Sequence, residues 1–285
     1  MRLDEDYLRE LELWPMFAIK PRGVALQPAS SAAPDSAPLE IAPLMRPQAV
    51  SAPVVPSAAA STTVPPAARS SAPRRGPLTQ AGLAAAVVDP ARAANIAALD
   101  WAGLKRETEA CTACGLCKQR KQAVLGVGAL DAPWLFIGEG PGAEEDAQGE
   151  PFVGPAGKLL DAMLAATGLV RGREVYIANV VNCRPPGNRT PSPEEAQACA
   201  PFLDRQIALI KPKLIVALGK TAVMRLTRSD ASVASLRGHQ HQYQGIPVIA
   251  TYHPSYLLRN APEKLKAWED LVLARKSMAE ITRNS

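Results

Sequence analysis

The sequence has no uninterrupted run of the ~18 or more apolar residues that a membrane-spanning helix requires, so no membrane association is expected. Its opening, Met1-Arg2-Leu3-Asp4-Glu5-Asp6, is too acidic and too broken for a secretory signal, and a cytoplasmic location is expected. Complete nucleotide loops are missing as well. Gly157-Lys158 and Gly219-Lys220-Thr221 each resemble the end of a phosphate-binding loop, but the glycine required five positions earlier is replaced by Phe152 and Leu214. The turn at Gly138-Glu139-Gly140-Pro141-Gly142 has the wrong spacing for the dinucleotide fingerprint. Aromatic residues are scarce at 5%, and histidines number three. Cysteines number five, and in a reducing compartment they point to ligands or free thiols rather than disulfides.

Proline, by contrast, is abundant and unevenly spread. Of 27 prolines, 13 fall between Pro21 and Pro90, in a stretch of Ala, Ser and Val that lacks aromatic side chains. Such a segment buries too little surface to offset the entropy of ordering, so residues 21–94 are expected to be a disordered linker. Residues 1–20 place Tyr7, Leu8, Leu11 and Trp14 at helical spacing, an apolar face that docks on its own domain or binds a partner protein. Residues 95–285 form the expected folded domain. Its 23 basic and 19 acidic side chains make it mildly basic, compatible with a polyanionic partner.

Within that domain four short apolar runs, 134–137, 175–178, 214–218 and 247–250, alternate with helical patterns at 99–110, 156–167 and 262–281. Ser192-Pro193-Glu194-Glu195 opens a further helix with a capping box. The alternation predicts a three-layer α/β/α fold around a mainly parallel four-stranded sheet.

Polar residues gather where these strands end, at the edge where open α/β sheets place their ligands. After the first strand come Glu139, Gly140 in a turn that lets the backbone approach a ligand, then Glu144, Glu145 and Asp146, with Phe152 beyond. The bland reading of these carboxylates is a solvated loop. Asn179 ends the second strand, where its amide either reads a flat ligand or caps the loop. His253 follows the last strand, while His239 and His241 read as surface residues. A carboxylate, an aromatic face, an amide and an imidazole together suit a flat, hydrogen-bonding heterocycle. Cys111-Thr112-Ala113-Cys114 supplies a C-x-x-C pair, and Cys183 and Cys199 follow at a distance. Two near and two remote thiolates suit a tetrahedral metal or cluster site, with a redox pair or buried thiols as the alternative. Spacing alone does not separate Zn²⁺ from iron and sulfur.

The stretches GEGPGAEEDAQGEPFVGPAGKLLD, NVVNCRPPGNRTP and HPSYLLR, with CTAC ahead of them, resemble the family 4 uracil-DNA glycosylases over residues 100–280. The resemblance implies a [4Fe–4S] cluster held by Cys111, Cys114, Cys183 and Cys199, with Cys117 left over as a spare thiol. It also implies that Phe152 stacks on uracil, Asn179 reads its edge and His253 contacts its O2. Glu139 falls in the catalytic motif and Glu145 at an acidic position bordering the base. No basic insertion of the covalently trapping branch lies between Arg184 and Pro191.

The expected activity is therefore excision of uracil from single- or double-stranded DNA by a monomeric, monofunctional enzyme. No lysine lies in the first motif to carry a lyase step. Lys220, Ser255 and Arg259 are candidates for gripping phosphates, and Leu257 or Leu258 for wedging the vacated stack. The alternatives are a non-catalytic binder of deaminated bases and an electron carrier.

Overall fold

The computed structural model describes residues 89–284. The N-terminal segment expected at 1–20 and the linker expected at 21–94 lie outside the described residues, except for 89–94. Those six residues belong to the cap and first turns of helix α1, Pro90–Ala98. Asp89 is its N-cap and Pro90 its first residue, so this helix spans the boundary expected at 94. A second helix, α2, spans Trp101–Ala110 behind an Asp100 N-cap that accepts the Gly103 N–H at 2.7 Å.

The sheet has six strands rather than the expected four. They are β1 (Val127–Gly128), β2 (Trp134–Gly138), β3 (Val175–Asn179), β4 (Leu214–Leu218), β5 (Gln240–Tyr243) and β6 (Ile246–Thr251). Their order is β1-β3-β2-β4-β6-β5. The four expected strands form the parallel centre, and β1 and β5 pair antiparallel at the two edges. Both edges escape a search for apolar runs for physical reasons. The first is two residues long, and the second, Gln240-His241-Gln242-Tyr243, faces solvent with polar side chains.

The central strands are buried on both faces, which is why they read as continuous apolar runs. Trp134 and Phe136 point to one layer and Leu135 and Ile137 to the other. The first layer holds α4 (Pro155–Ala166), α8 (Pro254–Arg259) and α9 (Lys264–Arg283), through Leu160, Leu257 and Leu271. The opposite layer holds α5 (Pro193–Ile210) and α6 (Lys220–Thr227), through Leu203, Ile207 and Val223. Two short helices, α3 (Ala143–Gln148) and α7 (Val233–Leu236), complete the α-helices among the described residues. The capping box expected at α5 is present. The Ser192 hydroxyl accepts the Glu195 N–H at 3.2 Å, and Glu195 accepts the Ser192 N–H at 2.8 Å. Parallel pairing in register brings the ends of β2 and β3 side by side, with Gly138 opposite Asn179. It likewise sets Leu218 opposite Thr251.

Candidate active site and cysteine centre

Two of the residues singled out at the strand ends meet around Gly138. A methyl group on this glycine would lie 2.5 Å from Phe152 Cζ and 2.6 Å from Asn179 Oδ1, so the ring and the amide converge on the bare backbone of β2. Asn179 is 2% exposed, and its Oδ1 has no hydrogen-bond partner. A buried acceptor without a donor is costly, which marks this oxygen as poised for a ligand donor rather than as a loop cap.

Phe152 sits at φ 56°, a left-handed conformation that strains a non-glycine residue by roughly 1–3 kcal/mol. The surroundings hold it there. Arg171 donates to Pro151 O at 3.0 Å and Phe152 O at 2.9 Å. Glu145 accepts the N–H groups of Val153 and Gly154, each at 3.0 Å, and that of Gly142 at 3.0 Å. The Glu145 carboxylate is thus spent on three backbone donors. It fixes the Phe152 loop instead of presenting a free charge to a base. Gly140 makes its close approach to Val181, whose Cγ2 would be 2.7 Å from an added methyl.

His253 caps α8: its Nδ1 accepts the Ser255 N–H at 3.1 Å and lies 2.8 Å from Ser255 Oγ. An Nδ1 that accepts a backbone N–H carries no proton, so the neutral ring bears its proton on Nε2 as a donor. Burial pushes the His253 pKa down from 6.5 to about 4, helped by the Arg259 charge and opposed by Glu145. The ring stacks on Phe152 with centroids 5.5 Å apart and planes at 28°. No base fits between rings that close, so a flat ligand has to lie against a face that this pair leaves free.

Glu139 follows β2, and Oε2 of its carboxylate accepts the hydroxyl of Thr221, a residue the strand-end reading did not select. The remaining candidates separate. Lys220, Leu258 and Arg259 are exposed. Leu257 is 1% exposed and belongs to the core under α4, so it is not available as a wedge; its neighbour Leu258, 48% exposed, has that freedom. Ser255 spends its hydroxyl and its N–H on His253. His241 bonds to Leu236 O at 2.7 Å through Nε2, a structural role in an edge strand.

The cysteines come together although four different segments carry them. Cys111 is the C-cap of α2, Cys114 precedes a short 3-10 turn, Cys183 follows β3 and Cys199 lies on α5. All five, Cys117 included, line one recess together with Arg120 and Asn182. Burial pushes the Cys199 thiol up to about 12, against the lowering effect of the Asn182 N–H at 3.3 Å, and the sulfurs of Cys183, Cys111 and Cys114 raise it further. Burial also raises Cys114 and Cys183. Arg120 donates to Cys183 Sγ at 2.9 Å and Arg92 to Cys111 Sγ at 3.5 Å. Among the described residues no three ligand-type side chains close on one single-ion position. Sulfurs ringing a recess, with N–H and guanidinium donors aimed at them, fit a larger anionic thiolate centre. Neither arginine was legible as part of this centre, since each reaches it from a separate segment.

A family model described as the uracil DNA glycosylase superfamily matches residues 125–272. The chain is 51% identical over 158 residues to a type-4 uracil-DNA glycosylase of Thermotoga maritima, covering 55% of this chain and 82% of that one. It is 43% identical over 161 residues to a type-4 enzyme of Archaeoglobus fulgidus, covering 54% and 80%. A type-5 uracil-DNA glycosylase of Thermus thermophilus is more distant, at 31% over 183 residues, covering 50% and 83%.

Proposed function

Because this chain belongs to the uracil DNA glycosylase superfamily, in its type-4 branch, we propose that it excises uracil from DNA at the strand-end pocket described above. The enzyme is a hydrolase of N-glycosidic bonds that acts in DNA repair and leaves an abasic site. The observation that carries the assignment of the pocket is the buried, unpartnered Asn179 Oδ1 beside the Phe152 ring.

In this reading the target nucleotide leaves the stack, at an unstacking cost of a few kcal/mol, and its base enters against Phe152. Exposed Leu258 fills the gap left behind, while Lys220 and Arg259 hold phosphates. Asn179 Oδ1 accepts uracil N3–H. As the glycosidic bond breaks, negative charge grows on the base and positive charge on the sugar. His253 meets the first with its Nε2–H, aimed at O2 and kept neutral by burial, as an oxyanion-hole donor acts. Glu139 meets the second, orienting the attacking water or stabilising the cationic sugar. Arg171 and Glu145 act earlier by holding the Phe152 loop in its strained form.

The four sulfurs of Cys111, Cys114, Cys183 and Cys199 would hold a [4Fe–4S] cluster, whose chemistry here is to tie α2, the loop after β3 and α5 into one framework. Cys117, within the same recess, is assigned as the spare thiol. The enzyme is proposed to act as a monomer, and the N-terminal segment to bind a protein partner.

A non-catalytic binder would need the pocket but not a carboxylate and an imidazole at its mouth, so Glu139 and His253 favour the enzyme. Release of free uracil from a uracil-containing oligonucleotide, with the strand intact until alkali is added, is the expected result. Retention of the base on a bound oligonucleotide would refute the enzymatic reading.

A further inference from the structure

The candidate catalytic and base-reading groups come from the ends of β2, β3 and β6, and the end of β4 is represented by one exposed lysine, Lys220. Because β4 lies between β2 and β6, the turn that follows it, Gly219-Lys220-Thr221, sits between Glu139 and His253. The turn touches the setting of both. Gly219 donates its N–H to Thr251 O at 2.9 Å, two residues before His253. A methyl on Gly219 would come within 2.7 Å of His253 Cβ, and its φ of 83° disfavours any side chain. Thr221, at the second position of α6, donates its hydroxyl to Glu139 Oε2. Among the described residues no other hydrogen bond holds this carboxylate.

We propose that Thr221 is a positioning residue: its hydroxyl fixes the Glu139 carboxylate for the glycosidic step, within a turn whose backbone also braces the His253 loop. The proposal rests on the reading of Glu139 as the group that meets the developing charge on the sugar. A carboxylate on a flexible side chain samples several rotamers. One hydrogen bond from a hydroxyl on a rigid turn selects the rotamer that points at the reacting sugar before substrate arrives. Binding of DNA and of uracil does not depend on that selection, so the effect falls on the chemical step.

The test is single-turnover excision on a uracil-containing oligonucleotide, with substrate affinity and thermal melting measured alongside. Thr221→Val removes the hydroxyl at nearly equal volume, and losing a hydrogen bond to a charged group predicts a rate lower by about 10- to 100-fold. Affinity should change less than about twofold, and Thr221→Ser should restore most of the rate. Should the valine variant fail to fold, Thr221→Ala takes its place. The deciding measurement is the combination with Glu139→Ala. If Thr221 acts through Glu139, the double variant is no slower than Glu139→Ala alone. A wild-type rate for Thr221→Val, or losses that multiply in the double variant, would overturn the proposal. A wild-type rate for Glu139→Ala would instead remove the underlying reading of Glu139, and the proposal with it.

Discussion

Uracil presents N3–H as a donor beside O4 as an acceptor, and cytosine presents the reverse, so a buried amide in fixed orientation satisfies one base and opposes the other. Under the proposed function Asn179, whose Oδ1 is buried and unpartnered, plays this part. Rejection of cytosine by roughly 10⁴-fold or more follows, because both buried groups would lose their partners. Asn179→Asp is expected to lose most uracil excision, since an ionised carboxylate faces O4. A trace of cytosine excision should grow as the pH falls and the new carboxyl becomes a donor. Full uracil activity in this variant, measured by base release, would assign the reading to another group. His253 gives a second expectation at this scale. Its pKa lies near 4 in the folded chain and near 6.5 unfolded, so the unfolded chain binds the extra proton in that interval. The stability this burial contributes is present above pH 6.5 and is lost as pH falls toward 4. The acid limb of kcat/KM should accordingly lie near pH 4, where the Nε2–H donor becomes part of a cation and Nδ1 must give up the Ser255 N–H. An acid limb near 6.5 would mean that His253 is solvated in the working enzyme.

At the scale of elements, α4 does more than cover the sheet. Its Gly157 lies against the strained Phe152 carbonyl, where an added methyl would come within 1.8 Å of the oxygen. Alanine normally favours a helix interior by about 1 kcal/mol over glycine. Gly157→Ala is nonetheless expected to destabilise the protein by about 1–3 kcal/mol through overpacking and to displace the Phe152 loop. The measurements are a lower melting temperature and a KM that rises more than kcat falls. A more stable protein would show that the loop moves freely away. Helices α2, α4, α5 and α9 and the central strands were legible because their apolar runs and caps are local signals: Ser192, Pro193 and Glu195 form the expected cap, and β4 keeps the expected bounds. The edge strands were not, since β1 is too short for a pattern and β5 takes its place by pairing with β6 alone.

At the scale of the whole molecule, the cysteine recess gathers side chains from the end of α2, the turn after it, the loop after β3 and α5. Anaerobically purified protein is expected to be brown. Cys199→Ser should bleach it or prevent folding, since metal binding is coupled to folding, while Cys117→Ser should keep its colour. Full colour and iron content in Cys199→Ser would refute the ligand set. The structure also moves the point at which the chain can be trimmed. A cut near Ala94 removes Arg92, which bridges Cys111 Sγ and Ala198 O and covers the Phe202 ring at 5.1 Å. A protein beginning at Asp89 should therefore excise uracil from short oligonucleotides at the full rate, whereas one beginning at Leu99 should lose iron faster on exposure to air. Equal retention of iron by both would show that α1 is dispensable to the centre.

The sequence by itself determined the layer architecture, the C-x-x-C pair, and the residues Glu139, Phe152, Asn179 and His253. Glu139, Asn179 and His253 are announced locally, by a run of apolar residues and the polar groups at its end, and the cysteine pair by its own spacing. The tertiary structure alone decided what those residues can do. Burial, which depends on neighbours far along the chain, left Asn179 Oδ1 without a partner, held His253 neutral and withdrew Leu257 into the core. Three backbone donors turned Glu145 from a pocket wall into a clamp. Sheet order, which no local signal encodes, set the turn after β4 between Glu139 and His253 and so brought Thr221 to the carboxylate.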